Sequence, residues 1–310
     1  MNLRRLQYFV KIVDVGSLTQ AADILHVAQP ALSQQLATLE GEVRQQLLLR
    51  TKRGVIPTEA GKVLYRHAQL ILRQCEQAKS DMNAAGQRLA GAVSVGLAPG
   101  TAAAGLALPL LRTVRTRHPD IVLYLAETYG TTLSELVMSG RMDLAVLYGG
   151  GTPVHGLAFS TLLRERLCLV GPQATETPPA SIPLRQIVGM DLYLPRPYNV
   201  VRKMVDDACA GIGIEPRVVA EIESAGTLIS VIAAGLGATI LPESMARQVV
   251  ASSASWLSRI VEPSIEAPLA LCRSDHLPLS EPAQAVKDIL LELVSGIPGN
   301  LLVSAGAQAS

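Results

Sequence analysis

Apolar side chains recur every three or four residues through the first forty positions, and the breaks between runs predict three short helices. Leu3, Leu6, Val10 and Val13 form the stripe expected to turn inward on the first, around Leu3 to Val15. Ser17, with Gln20 three residues on, reads as a capping box opening the second, where Ala21, Ala22 and Leu25 make a narrow apolar stripe. His26-Val27-Ala28 is a short turn, and Pro30 suits the start of a third helix because an N–H there would be unpaired in any case. In that helix Leu32, Leu36 and Leu39 fall on one side, and Pro30, Ser33, Gln34, Ala37 and Thr38 on the other. The outer face suits a DNA major groove: Gln bonds adenine bidentately, Ser donates or accepts, and an apolar group touches a thymine methyl.

None of those outward residues is charged, so attraction to phosphate must come from elsewhere. Leu47 to Pro57, LLLRTKRGVIP, places Arg50, Lys52, Arg53 and Gly54 between two short β-prone runs, the pattern of a basic hairpin or wing. Following a helix-turn-helix, it is expected to contact DNA rather than serve only as a solvated turn. Thr58 then reads as the N-cap of a long helix running to about Arg88. Along it Leu64, Ala68, Ile71, Cys75, Ala78, Met82, Ala85 and Leu89 are spaced by alternating steps of four and three, a heptad seam. The seam predicts pairing with a second copy through Leu64, Ala68, Ile71, Cys75, Ala78 and Met82, against the alternative of docking on its own body. Gly86 and Gly91 mark a hinge candidate at its end.

From Ala92 the period changes. Short apolar strands alternate with helical stretches: AVSVGLA, a helix through Leu111, IVLYLAE, TLSELVMSG and LAVLY. A second set follows with LCLVG, DLYLP, a helix near Val200 to Ala210, VVAEIE, a helix through Ala234, and ATILP. A late strand, LALC, and a helix from about Glu281 to Val294 return to the first set. This alternation predicts parallel sheets with covering helices, arranged as two lobes around a cleft. The expected division is 1–58 for the winged head, 59–91 for the linker helix and hinge, and 92–310 for the body. Within the body, lobe I is about 92–162 and 267–295, and lobe II about 163–266.

Charge supports the division. Met1 to Ala90 carries 12 basic against 7 acidic residues, a balance of +5, and since the whole chain carries +1 the rest carries −4. A basic head on an acidic body is expected where one end binds nucleic acid. Hydrophobic residues make up 49% of the chain, but the uncharged runs are broken by Pro99-Gly100, Pro109 and several later glycines, and read as buried strand, turn and helix rather than membrane spans. The amino terminus has charges at amphipathic spacing and no apolar leader, so a cytoplasmic location is expected. Cys75, Cys168, Cys209 and Cys272 are far apart with no CxxC pair, and the five histidines show no ligand spacing; neither a structural metal nor a cofactor is expected.

AADILHVAQPALSQQLATLE followed by LLLRTKRGVIPTEAG resembles the winged helix-turn-helix of LysR-type transcriptional regulators, and the remainder has the length and strand order of their effector domain. Within that family RRLQYFVKIVDVGSLTQAA, QQLLLRTKRGV and ILRQCEQA look like the nitrogen assimilation control regulators. The resemblance implies an α/β chain: a winged helix-turn-helix with a long linker helix, then a two-lobed body of two Rossmann-like subdomains, like a periplasmic binding protein. It also implies a homo-oligomer, dimer or tetramer, that binds interrupted inverted repeats in double-stranded promoter DNA and acts through RNA polymerase. The family's reading residues map onto Gln29, Pro30, Ser33 and Gln34, with Arg50, Lys52 and Arg53 on the flanking backbone. Many members carry Ser or Thr at the position of Ala28 and Arg at that of Gln34, departures that remove a cap hydroxyl and one cation.

Strand-end positions Gly100, Thr101, Thr128, Tyr148, Tyr198, Asn199 and Ser224 are the candidate effector contacts, since helix N-termini favour anions. The body either binds a small anionic effector there or regulates without one. Two other classes compete, an α/β enzyme and a solute-binding protein. No nucleophile elbow, P-loop or GxGxxG supports the enzyme, Gly149-Gly150-Gly151 reads as a plain loop, and the basic head argues against the solute carrier.

Overall fold

In a computed structural model, which describes residues 1–51, 54–84, 89–149, 154–173 and 178–296, the three predicted helices are present as α1 (Leu3–Val15), α2 (Leu18–Leu25) and α3 (Gln29–Val43). The stripe that α1 buries is Leu6, Phe9 and Ile12, one position out of phase with the expected Leu3, Leu6, Val10 and Val13. Phe9, the largest apolar side chain available, takes the centre of the head's core. Leu3 stays exposed at the helix start. Gly16, in the left-handed region at φ 69°, closes α1 by donating its N–H to the Ile12 carbonyl at 2.9 Å. Ser17 caps α2, accepting from the Gln20 N–H at 3.4 Å. Leu32, Leu36 and Leu39 of α3 are buried as the pattern predicts, and Ala28 at its N-cap makes no side-chain cap bond.

The basic segment forms an antiparallel pair, β1 (Leu48–Thr51) and β2 (Gly54–Pro57), with Arg50 opposite Val55. Two anchors fix this wing. Glu40 Oε1 on α3 accepts from the backbone N–H groups of Leu47 and Leu48 at 2.7 and 3.2 Å, and Val55 donates its N–H to the Gly16 carbonyl at 2.8 Å. Gly54 has φ 126°, and a Cβ there would stand 2.3 Å from that same Gly16 oxygen, so no other residue fits. The long helix is α4 (Glu59–Ala84). Thr58 caps it, accepting from the Gly61 N–H at 3.0 Å, and the Tyr65 hydroxyl donates to Asp14 of α1. Ala85 and Gly86 lie outside the described residues.

The chain divides into two compact units, Met1–Leu89 with Met138–Arg141, and Ala90–Val137 with Met142 onward. The second unit opens with β3 (Gly91–Leu97), α5 (Ala102–Arg117), β4 (Ile121–Glu127), α6 (Gly130–Met138) and β5 (Leu144–Tyr148). β3 lies between β4 and β5, parallel to both. β6 (Leu157–Pro172) then runs for 16 residues. Next come β7 (Ser181–Pro183), β8 (Leu192–Leu194), α7 (Val200–Gly211), β9 (Val218–Glu221), α8 (Ala225–Ala233), β10 (Thr239–Pro242), α9 (Glu243–Ser252), β11 (Ser255–Val261), β12 (Glu266–Ser274) and α10 (Glu281–Ser295). The helix expected to stop at Leu111 continues through Pro109 to Arg117.

The main sheet has the order β4-β3-β5-β12-β6-β11-β7, with β10 also pairing β6. It is mixed rather than parallel: β12 is antiparallel to both β5 and β6, and β10 and β11 are antiparallel to β6. The first half of β6, to Arg166, pairs β12, and its second half, from Leu167, pairs β10 and β11. One strand therefore belongs to both lobes. A smaller parallel pair, β8 with β9, completes the second.

Cys168, Cys209 and Cys272 are buried and Cys75 half-buried, all as free thiols. Burial pushes the Cys168 and Cys272 thiols up to about 12 and raises that of Cys209, so all three stay protonated at neutral pH. Among the described residues no helix is long and apolar enough to cross a membrane, and no cluster of three or more His, Cys, Asp or Glu could hold a metal ion.

Candidate nucleic-acid interface and effector cleft

The face of α3 opposite its leucines is open. Pro30, Gln34, Ala37 and Thr38 are exposed, and Gln29 and Ser33 half-buried. The Thr38 hydroxyl donates to the Gln34 carbonyl at 2.8 Å, so toward solvent this oxygen offers only lone pairs. Ser33 has the opposite commitment: its Oγ accepts from Arg50 Nη2 at 3.0 Å, across from the wing. Arg50 is itself exposed. Lys52 and Arg53 lie outside the described residues. Farther along α3, Arg5 of α1 donates to Gln35 Oε1 at 3.0 Å and pairs with Glu42 at 2.7 Å, which holds α3 against α1.

The seam of α4 is unevenly exposed. Leu64 packs on the head's own core and Ala68 is fully buried, while Cys75 is half-buried. Ile71, Ala78 and Met82 are exposed, Met82 to 70%.

In the second unit a cleft of about 950 Å³, its open mouth included, gathers strand ends and helix starts from both lobes. Of the candidate contacts, Gly100, Thr101, Tyr148, Tyr198 and Asn199 line it. Gly100 sits there at φ 70° with open space where a Cβ would be, so the turn's left-handed backbone, not close packing, requires glycine. Thr128 and Ser224 are off this wall: Thr128 is half-buried in the turn after β4, and Ser224 caps α8, accepting from the Thr227 N–H at 3.3 Å. Residues the sequence did not single out complete the lining, among them Tyr129, Thr131 and Glu223 on the polar side and Leu228, Ile240, Leu241 and Met245 on the apolar. Their signal was position: Tyr129 and Glu223 follow strands, Thr131, Leu228 and Met245 lie in the first turns of helices, and Ile240 and Leu241 belong to β10.

Three of the cleft's polar groups are already engaged in folding. Thr101 Oγ1 accepts from the Ala103 N–H at 3.0 Å and donates to the Ala98 carbonyl at 2.7 Å. Asn199 Oδ1 accepts from the Val201 N–H at 2.9 Å. Tyr148 donates its hydroxyl to Glu165 Oε2, and the other oxygen of this buried carboxyl accepts from the Ser244 N–H at 3.0 Å. Glu223 is the one charged side chain among the described residues of the lining. His155 lies elsewhere, exposed, its ring edge-on to that of His276 at 5.6 Å between centroids.

Two family models account for nearly the whole chain: residues 3–62 match the bacterial regulatory helix-turn-helix protein, lysR family, and residues 86–295 the LysR substrate binding domain. The nitrogen assimilation regulatory protein nac of Klebsiella aerogenes is 54% identical over 295 residues, covering 95% of this chain and 96% of its own. Its counterpart in Escherichia coli K12 is 51% identical over the same coverage. Among solved structures, a full-length OxyR variant from Pseudomonas aeruginosa superposes with a TM-score of 0.75 at 23% identity, covering 96% of each chain. Full-length CbnR complexed with its target DNA gives 0.55 at 22%, covering 95% of this chain and all of its own. Those two likenesses speak to fold, but the relatives and the two matched models speak to descent: the chain belongs to the LysR family of bacterial transcriptional regulators.

Proposed function

We propose that this regulator controls nitrogen-metabolism genes by binding interrupted inverted repeats at their promoters as a homo-oligomer, dimer or tetramer, in the cytoplasm, and by altering the action of RNA polymerase there. The observation that carries DNA reading is the open face of α3, uncharged and rich in hydrogen-bonding groups, beside a basic wing anchored to it. The two nac relatives, named for nitrogen assimilation, support the choice of targets. Pairing through the exposed part of the α4 seam would set two heads on half-sites about 34 Å apart, or a multiple of that.

The body's role in this reading is regulation rather than catalysis. Its cleft supports a small effector with one polar end against Thr101, Tyr129 and Tyr148 and an apolar part against Leu228, Ile240 and Met245. An anionic group would rest on the N–H groups and dipoles at the starts of α5, α6 and α7, with no Lys or Arg among the described lining to assist. Calorimetric titration of the full chain with small carboxylates and nitrogen metabolites tests this; absence of any heat would leave regulation without a ligand as the reading.

Promoter binding itself is tested by anisotropy titration of nitrogen-gene promoter duplexes and scrambled controls across a salt series. Gln34→Ala is expected to relax sequence choice, and Arg53→Ala to weaken all duplexes alike and lower the salt slope by about one. Equal losses on both duplexes for the Gln34 variant would remove it from the reading face.

A further inference from the structure

We propose that Arg50 is a positioning residue for sequence reading, acting through Ser33, and not only a clamp on phosphate; this rests on the promoter-binding reading above. A guanidinium is donor-only, so where Arg50 Nη2 meets Ser33 Oγ at 3.0 Å the serine must accept. The hydroxyl proton of Ser33 is thereby free to be given away from the wing, toward whatever α3 faces. Ser33, which unaided serves as donor or acceptor, has one of its two lone pairs taken and its proton kept, and so is biased toward donating. Its favoured partners in a major groove are then base-edge acceptors, purine N7, guanine O6 or thymine O4, over the amino groups of adenine and cytosine.

The arrangement is built rather than incidental. The strand that carries Arg50 is tied to α3 through Glu40, which receives the N–H groups of Leu47 and Leu48, and its cross-strand neighbour Val55 is tied to Gly16. The arginine's backbone is therefore fixed relative to the serine it holds. Thr38, whose proton goes to the Gln34 carbonyl at 2.8 Å, is committed the other way and presents an acceptor. The reading face thus carries two hydroxyls of opposite bias, one set by the wing and one by the helix backbone.

The test uses the full chain, the tightest duplex it selects from a random pool, and a scrambled duplex of the same composition. Wild type, Arg50→Lys, Ser33→Ala and the double variant are titrated by fluorescence anisotropy at several salt concentrations. Lysine keeps the charge but loses the planar fork. The expected result is that Arg50→Lys keeps the wild-type salt slope while its preference for the selected duplex falls about tenfold. Ser33→Ala should lose a similar factor, and the double variant no more than either alone. Equal weakening on both duplexes by Arg50→Lys, or additive losses in the double variant, would overturn the positioning role and leave promoter binding standing. A wild-type chain that does not distinguish the duplexes would instead overturn the promoter reading, and this proposal with it.

Discussion

Arg44 closes α3 in the left-handed region, at φ 53° with its N–H on the Glu40 carbonyl, where an L side chain crowds its own backbone. Glycine loses more freedom on folding but escapes that crowding, so Arg44→Gly is expected to stabilise the head by about 0.5–1 kcal/mol. A thermal melt of the full chain monitored in the helical band checks it; an unchanged or lower midpoint would show that the arginine side chain contributes more than its strain. At this scale the sequence was legible where one residue speaks for itself: the cap at Ser17, the proline at the start of α3, the glycine in the turn after β3. It was silent on Arg50 and Ser33 as a pair, because 17 positions separate them and only the wing's docking brings them to 3.0 Å.

Helices α2 and α3 could be read in advance because their apolar stripes are narrow and their outer faces polar. The stripe of α1 was misplaced because apolar residues occur nearly all round it, and only packing selects Phe9 over Val10. The seam of α4 was legible as a period, but not the point at which it leaves the head's core. With Leu64 committed there and Ala68 buried, the proposed pairing between copies would fall to Ile71, Ala78 and Met82, the exposed members of the seam. Ile71→Glu with Met82→Glu should therefore convert the oligomer to monomer in sedimentation velocity at micromolar concentration. It should also abolish the advantage of a two-half-site duplex over a single half-site. Variants that still sediment as the wild-type oligomer would place the interface on other elements.

For the molecule as a whole, the two-lobed body followed from the alternation of strand and helix, but its mixed sheet did not. AFSTLLRER, the front half of β6, carries three adjacent charged residues and gives little sign of strand on its own. It becomes one through β12, which arrives about a hundred residues later in the chain. Glu165 in that stretch receives Tyr148 from lobe I and Ser244 from lobe II, so it joins both halves at the strand they share. Glu165→Leu would remove the carboxyl that the Tyr148 hydroxyl and the half-buried Ser244 N–H both meet and is expected to cost about 1–3 kcal/mol, read as a lower midpoint of the body's transition in calorimetry. A midpoint within a degree of wild type would show that water replaces the carboxyl. The same strand dictates an order of events during synthesis. A ribosome adding roughly 5–20 residues per second finishes β6 about 5–20 s before β12 emerges to cover it. Through that interval the nascent body carries an open sheet edge, while the head has every segment of its core in hand.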